Sequence, residues 1–103
     1  MDYRIVFTNE CLCQLENVIY YLSVSKGNND AALNVLMDVK TTLGELVYIA
    51  ESLPFCLEEN LRTKGYRKVK LKNYNYLFVY SVKDDVVFIE GFFSTLQNYS
   101  EKL

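Results

Sequence analysis

The first quarter of the chain predicts a short β-strand followed by an amphipathic helix. Tyr3, Ile5 and Phe7 occupy every second position, which is the spacing that places side chains on one face of a strand. Over residues 12–22 the large aliphatic side chains instead recur three and four residues apart. That spacing is typical of a single buried helix face, so a helix is predicted over residues 10–25.

A second helix is predicted after a polar break at residues 27–29. An asparagine in this break can cap its first turn. Apolar positions at helical spacing run from residue 32 to residue 50, and Leu53-Pro54 predicts the end of the helix. Two helices joined by a short polar turn favour an antiparallel helical hairpin. Residues 54–65 are then expected to form a connecting loop.

The last third of the chain predicts three strands in succession. In the first, Lys68, Lys70 and Lys72 alternate with other residues and are expected to share one face. The other two strands are apolar on both faces, as is typical of central strands that are covered on both sides. The predicted strands cover residues 66–72, 74–82 and 86–93.

The resulting order of elements, β-α-α-β-β-β, predicts an α+β fold. In this fold the helical hairpin packs on one face of a small, mainly antiparallel sheet. A chain of 103 residues has room for one hydrophobic core, so a single domain over residues 1–103 is expected. Half of the residues are hydrophobic, which is typical of a folded globular chain.

The charges are distributed unevenly along the chain. The formal net charge at pH 7 is −2, which by itself does not favour a nucleic-acid binder. However, residues 62–72, hereafter the basic segment, hold six of the 11 lysines and arginines and none of the 13 acidic residues. An acidic chain can therefore still present one basic surface.

The pattern leaves two interpretations of the basic segment open. The first is a cationic surface for an anionic partner, either the phosphates of a nucleic acid or an acidic peptide. The second is an edge strand whose lysines prevent pairing with other sheets. The aromatic residues near the basic segment would either stack on nucleic-acid bases or pack in the hydrophobic core. These are Tyr66, Tyr74, Tyr76 and Tyr80.

The chain contains no histidine and only three cysteines. The absence of histidine excludes Ser-His-Asp and Cys-His catalysis and most zinc sites. Cys11 and Cys13 are expected to point to different faces of the first helix, so no metal site or cofactor is predicted. The sequence shows no signal peptide and no apolar run of about 20 residues that could cross a membrane. We therefore expect a cytoplasmic protein with free thiols.

Any catalysis would have to rely on lysine, arginine, tyrosine or carboxylate side chains. Arg67, Lys68 and Lys70 are candidates for stabilising the charge that develops on a reacting phosphate. Tyr99 is a candidate proton donor. The pattern alone does not bring these four side chains together.

The stretch over residues 61–80, LRTKGYRKVKLKNYNYLFVY, resembles the core of the RelE/ParE toxin superfamily. That core is a GYRK run followed by an NY pair and a tyrosine-containing strand. The first strand, the leucine-spaced first helix, Asp30-Ala31-Ala32 at the start of the second helix and the Leu53-Pro54 stop also lie where the family has them. The resemblance extends over nearly the whole chain.

The resemblance implies a small toxin that is neutralised by a co-expressed antitoxin of the RelB or ParD type, in a toxin–antitoxin hetero-oligomer. RelE-like members cleave messenger RNA on the ribosome, whereas ParE-like members act on DNA gyrase. By position, Arg67, Lys68 and Lys70 match the basic strand of the family, and Tyr99 and Leu103 match its closing tail. The implied target- or antitoxin-binding residues are Arg62, Lys64, Arg67, Lys68, Lys70 and Lys72.

Two departures from the family pattern favour the ParE-like activity. Ser94 and Leu96 occupy tail positions at which many relatives carry a histidine or tyrosine and an arginine, and Asn98 replaces an aspartate before Tyr99. Leu77 stands where nucleolytic members tend to carry a second arginine. Loss of one charge-stabilising donor typically lowers a rate by ~10²–10³. The sequence therefore predicts a toxin that acts by binding, similar to plasmid-stabilisation proteins. The alternatives are an mRNA endonuclease and a non-toxic relative that retains only antitoxin binding.

Overall fold

The structure, a computed structural model that describes residues 2–103, places two long helices against a four-stranded sheet. The strands are β1 (Arg4–Phe7), β2 (Arg67–Lys70), β3 (Tyr76–Lys83) and β4 (Val86–Ser94). The α-helices are α1 (Asn9–Tyr20), α2 (Asn29–Ile49) and the short α3 (Glu59–Thr63). A π-helical turn covers Tyr21–Ser25, and a 3-10 helix, hereafter the tail helix, covers Tyr99–Lys102. The predicted α+β class is confirmed.

The sheet has the order β1-β4-β3-β2, so β3 and β4 are its central strands. β1 pairs with β4 in parallel, whereas the other two pairs are antiparallel. This arrangement confirms the expected, mainly antiparallel sheet. A register shift places Val79 opposite Gly91 and Tyr80 opposite Ile89. Glu90 is the extra residue on β4, as in a β-bulge.

Polar side chains cap the first turns of the two long helices, and an asparagine was expected to do so for the second. Thr8 Oγ1 accepts a hydrogen bond from the backbone N–H of Cys11 at 3.2 Å, and Asn28 Oδ1 accepts one from Ala31 at 3.0 Å. Each contact satisfies a backbone donor that the first helical turn leaves free. Beyond Tyr20 the first helix continues as the π-helical turn, within the range predicted from the leucine spacing.

α2 ends at Ile49, four residues before the predicted stop. Two side chains from the sheet bind carbonyl groups just beyond this end. The hydroxyl of Tyr80 donates to the carbonyl of Ala50 at 2.7 Å, and the guanidinium of Arg67 donates to the carbonyl of Leu53. The last carbonyls of a helix need such donors. The end of α2 is therefore stabilised by side chains from the sheet.

The segment predicted as a loop over residues 54–65 contains α3, together with a backbone bridge between Phe55 and Arg67. Leu61 of α3 is fully buried. Burial of a leucine contributes about 1.5–3 kcal/mol, which favours a helical turn that presents this side chain to the sheet. The prediction of an irregular loop is therefore wrong for α3.

β2 ends at Lys70 rather than at residue 72 because the turn that follows is held by α2. The buried carboxylate of Asp38 accepts hydrogen bonds from the backbone N–H of Asn73 at 2.9 Å and of Tyr74 at 3.1 Å. Hydrogen bonds to a carboxylate are stronger than those between neutral groups. Lys72 therefore lies in the turn, and the prediction that it shares a strand face with the other two lysines is wrong.

Two hydrophobic clusters lie on opposite faces of the sheet. The larger one fills the space between the sheet and the long helices and includes the fully buried Phe78 and Tyr80. The smaller one lies beneath α3 and the tail helix, and its members are Cys56, Leu61, Leu77, Val79, Phe93 and Tyr99. Tyr74 and Tyr76 pack against the larger cluster, and Tyr66 packs against the smaller one. The tyrosines near the basic segment therefore belong to the core.

Asp38→Ala should destabilise the fold. Without the carboxylate, two backbone N–H groups of the turn lose their acceptor, and a buried donor without a partner costs about 1–3 kcal/mol. Urea unfolding should show a lower midpoint for this variant. Asn34→Ala, at an exposed position of the same helix, should stay within about 0.5 kcal/mol of the parent chain. Equal midpoints for the two variants would contradict the role of Asp38.

Two glycines should respond oppositely to alanine. A Cβ at Gly91 would lie 2.3 Å from Cε2 of Phe93, inside the smaller cluster, and such overpacking costs about 1–3 kcal/mol. A Cβ at Gly44, inside α2, meets no atom within 4 Å. Because alanine is the better helix former, Gly44→Ala should stabilise the fold by about 0.5–1 kcal/mol. Thermal unfolding of both variants tests this, and a stabilised Gly91→Ala would refute it.

Candidate functional site

A groove of about 400 Å³ lies beside β2, on the sheet face opposite the helical hairpin. Its walls bring together three of the four residues that the sequence suggested for catalysis, namely Lys68, Lys70 and Tyr99. The residues that line it are Pro54, Lys68, Lys70, Leu77, Thr95 and Tyr99. This lysine groove is the place where a reaction or an anionic partner would have to be accommodated.

The main polar contact in the lysine groove joins β2 to the tail helix. The ammonium of Lys68 donates a hydrogen bond to the hydroxyl of Tyr99 at 3.1 Å, and its nitrogen lies 5.8 Å from the centre of the ring. Tyr99 is 8% exposed and stacks on Phe93, with the ring centres 5.8 Å apart. The same lysine that could bind an anion therefore holds the tail helix against the sheet.

The carboxylate of Glu58, just before α3, lies near Tyr99 and Lys68, and its buried Oε1 accepts no hydrogen bond from residues 2–103. A hydrogen bond from its own backbone N–H lowers the pKa of Glu58, and Tyr99 and Lys68 lower it further. The hydrogen bond to Tyr99 raises the pKa of Lys68, and burial raises the pKa of Tyr99. At neutral pH the three groups are therefore a cation, a neutral hydroxyl and an anion. None of these three groups titrates near neutrality, where a general acid or base works best.

Lys70 occupies the other end of the groove. Its ammonium donates to the carbonyls of Leu71 at 3.2 Å and of Tyr74 at 3.4 Å. Both carbonyls lie close to the turn between β2 and β3, so the side chain supports that turn. Lys70 remains exposed and can still face an anionic partner.

Arg67 points away from the lysine groove, because neighbouring residues on a strand face opposite sides of the sheet. Its guanidinium donates to the carbonyl of Leu53 and to that of Glu51 at 3.3 Å. The guanidinium carbon lies 3.9 Å from the ring centre of Phe55, in a cation–π contact. The structure therefore assigns Arg67 to the segment after α2 and does not bring it to Tyr99.

The remaining charges of the basic segment also lie outside the groove. Lys72 forms a half-exposed salt bridge with Glu45 of α2. Lys64 donates to the carbonyl of Leu103 and so binds the end of the tail helix. Arg62 is exposed on α3. Five of the six basic side chains in this segment thus contact other parts of the same chain, namely Lys64, Arg67, Lys68, Lys70 and Lys72.

The positions that depart from the family pattern add no cation to the groove. Leu77 lies in the groove wall and is 6% exposed within the smaller cluster. Ser94 accepts a hydrogen bond from the backbone of Leu96 at 3.2 Å, and Leu96 itself is 93% exposed. Asn98, just before the tail helix, accepts one from the hydroxyl of Ser100 at 2.9 Å. These side chains form a turn and a core wall rather than a phosphate site.

A second groove lies on the helical hairpin, and none of its residues was predicted as a site residue. It measures about 400 Å³ and is lined by Leu15, Glu16, Ile19, Tyr20, Ser23 and Leu36. Beside it, Leu33 and Met37 of α2 are 57% and 60% exposed. The sequence does contain a signal for this surface, because Leu33 and Met37 are apolar but lie outside the helical stripe that faces the sheet. Such a continuous exposed apolar surface is typical of a binding site for another protein.

The described residues provide neither a metal cluster nor a membrane span. Within residues 2–103, no three histidine, cysteine, aspartate or glutamate side chains lie close enough to hold an ion. No helix in that part of the chain is both long and apolar enough to cross a bilayer.

Comparison with known proteins adds evidence on the fold. No family model matches the sequence, and no curated protein matches it significantly. Seven chains of known structure do match significantly. One of them, described as "Chromosomal ParDE TA system from P. aeruginosa", superposes with a TM-score of 0.70. The match covers 89% of this chain and 95% of that chain at 16% sequence identity. The chain therefore shares the fold of this ParDE-system chain, as expected from its resemblance to the RelE/ParE superfamily.

Proposed function

We propose that the chain is the toxin component of a bacterial type II toxin–antitoxin system, of the ParE-like kind. The single observation that carries the proposal beyond the fold is the apolar groove on the helical hairpin. Leu36, which lines it, is 40% exposed, and Leu33 and Met37 extend the apolar surface along α2. An amphipathic helix of a cognate RelB- or ParD-like antitoxin would bury this surface.

The contacts in the lysine groove support a toxin that binds its target rather than one that cleaves RNA. Lys68 and Lys70 already donate hydrogen bonds within the chain. A scissile phosphate would have to compete with these bonds, and the groove contains neither histidine nor arginine. Inhibition of a target such as DNA gyrase by binding needs no proton transfer. We accordingly propose a single-domain cytoplasmic protein that acts in a hetero-oligomer and needs no cofactor.

Induction of the chain without its antitoxin should arrest growth and cause DNA damage, since a gyrase held by a bound protein leaves broken DNA. Colony counts and a DNA-damage reporter measure the two effects. Co-expression of the protein encoded next to the chain should restore growth. Arrested cells with intact DNA would contradict a gyrase target. A folded chain that binds its neighbour without any effect on growth would identify a non-toxic relative.

Leu36→Glu separates antitoxin binding from toxicity in this experiment. The new carboxylate would lie in the hairpin groove, where a charge opposes an apolar partner helix. A glutamate four residues before Lys40 is also favourable within a helix, so the variant should fold. The variant should remain toxic. Its affinity for the antitoxin should fall at least tenfold, which corresponds to about 1.4 kcal/mol of binding free energy. The matched control, Leu96→Glu, changes an exposed residue of the tail and should be neutralised normally.

The presence of Lys68, Lys70 and Tyr99 in one groove is the observation behind one alternative, a ribosome-dependent mRNA endonuclease. In that mechanism the lysines would stabilise the charge on the phosphate, and Tyr99 would donate a proton. The activity predicts cleaved transcripts in a translation extract. Lys68→Ala and Lys70→Ala should each lower the cleavage rate by about 10²-fold or more. Lys26→Ala, in the connection between the π-helical turn and α2, should leave the rate unchanged. Intact message at high protein concentration would rule out the alternative.

A further inference from the structure

A third concavity, of about 270 Å³, lies between α1 and the C-terminal segment, separate from both grooves described above. Phe92 and Phe93 contribute to its apolar wall. Its polar lining consists of Gln14, Asn17, Gln97 and Lys102. No acidic residue of the described chain lines it. The concavity therefore combines an apolar floor with amide groups and one positive charge.

Hydrogen bonds to the backbone fix the orientation of both glutamine side chains. Gln14 Oε1 accepts from the backbone N–H of Phe92 at 2.8 Å, and Gln97 Oε1 accepts from the N–H of Ser94 at 2.9 Å. A backbone N–H can bond only to the oxygen of a carboxamide, so the oxygen and nitrogen ends are not interchangeable. In each side chain the acceptor is occupied, and the NH₂ group remains to donate.

The NH₂ groups of the two glutamines and the ammonium of Lys102 have no hydrogen-bond acceptor among residues 2–103. The NH₂ groups of Gln14 and Gln97, the amide of Asn17 and one cation thus line the same space. An oxygen ligand that only accepts hydrogen bonds and carries negative charge would satisfy the donors among them.

We propose that this concavity binds a carboxylate, specifically an acidic side chain of a partner protein. A carboxylate carries one negative charge and so matches the single ammonium of Lys102. A phosphate group, at about −1.5 to −2 near neutral pH, would remain partly uncompensated. The volume is below the roughly 300–1,000 Å³ of sites for whole small molecules, whereas the side chain of a glutamate fits. The proposal does not depend on the toxin–antitoxin assignment.

Nuclear magnetic resonance on the full-length, ¹⁵N-labelled chain tests the proposal directly. The probe is a blocked pentapeptide with one central glutamate, compared with the same peptide containing glutamine. The glutamate peptide should shift the side-chain NH₂ signals of Gln14 and Gln97 saturably. Lys102→Met should weaken this binding at least about fivefold, because a charge-assisted hydrogen bond is lost. Gln97→Glu should abolish it, whereas the control Lys26→Met should leave it unchanged.

Several outcomes would overturn the proposal. Equal shifts with the glutamine peptide, or no shift with the glutamate peptide, would exclude a carboxylate site. Unchanged affinity in Lys102→Met would place any binding elsewhere. Sodium acetate that binds as tightly as the peptide would refute the assignment to a protein side chain, and tighter binding of inorganic phosphate would refute the choice of carboxylate. The altered residues are exposed, so loss of folding is not expected to obscure these results.

Discussion

The pairing of β3 with β4 is the constraint on which the rest of the structure depends. The two strands are central in the sheet, and residues 77–80 are buried on both faces. Phe78 and Tyr80 face the long helices, whereas Leu77 and Val79 face the opposite side. A strand that is apolar on both faces must be covered on both sides. The helical hairpin covers one face, and the short α3 with the tail helix covers part of the other.

The second cover explains why several charges of the basic segment bind other parts of the same chain. α3 and the tail helix have few residues, so packing alone holds them only weakly. Lys64 and Lys68 add hydrogen bonds to the tail helix, and Arg67 binds the segment after α2. The basic segment therefore stabilises the fold, in addition to any role in binding a partner. A nuclease built on the same groove would need cations that are free of such contacts, which the tail positions Ser94 and Leu96 do not supply.

The surfaces that remain for partners share no lining residue with the lysine groove. The hairpin groove is apolar and suited to a helix, whereas the concavity beside Gln14 and Lys102 is suited to a carboxylate. Both surfaces include residues of α1, so a single partner could contact the two together. A partner with an apolar helix and acidic residues would match this combination, as expected of a segment that folds when it binds.

The sequence by itself determined the order of the strands and the two long helices and the buried character of both central strands, because periodicity is a local property. It did not determine α3 or the end of β2 at Lys70, which depend on the burial of Leu61 and on a carboxylate from α2. Nor could the sequence determine which part of the structure each basic side chain contacts. Neighbouring residues on a strand face opposite sides, so only the tertiary structure separates Arg67 from Lys68 and brings Tyr99, thirty-one residues away, to the lysine.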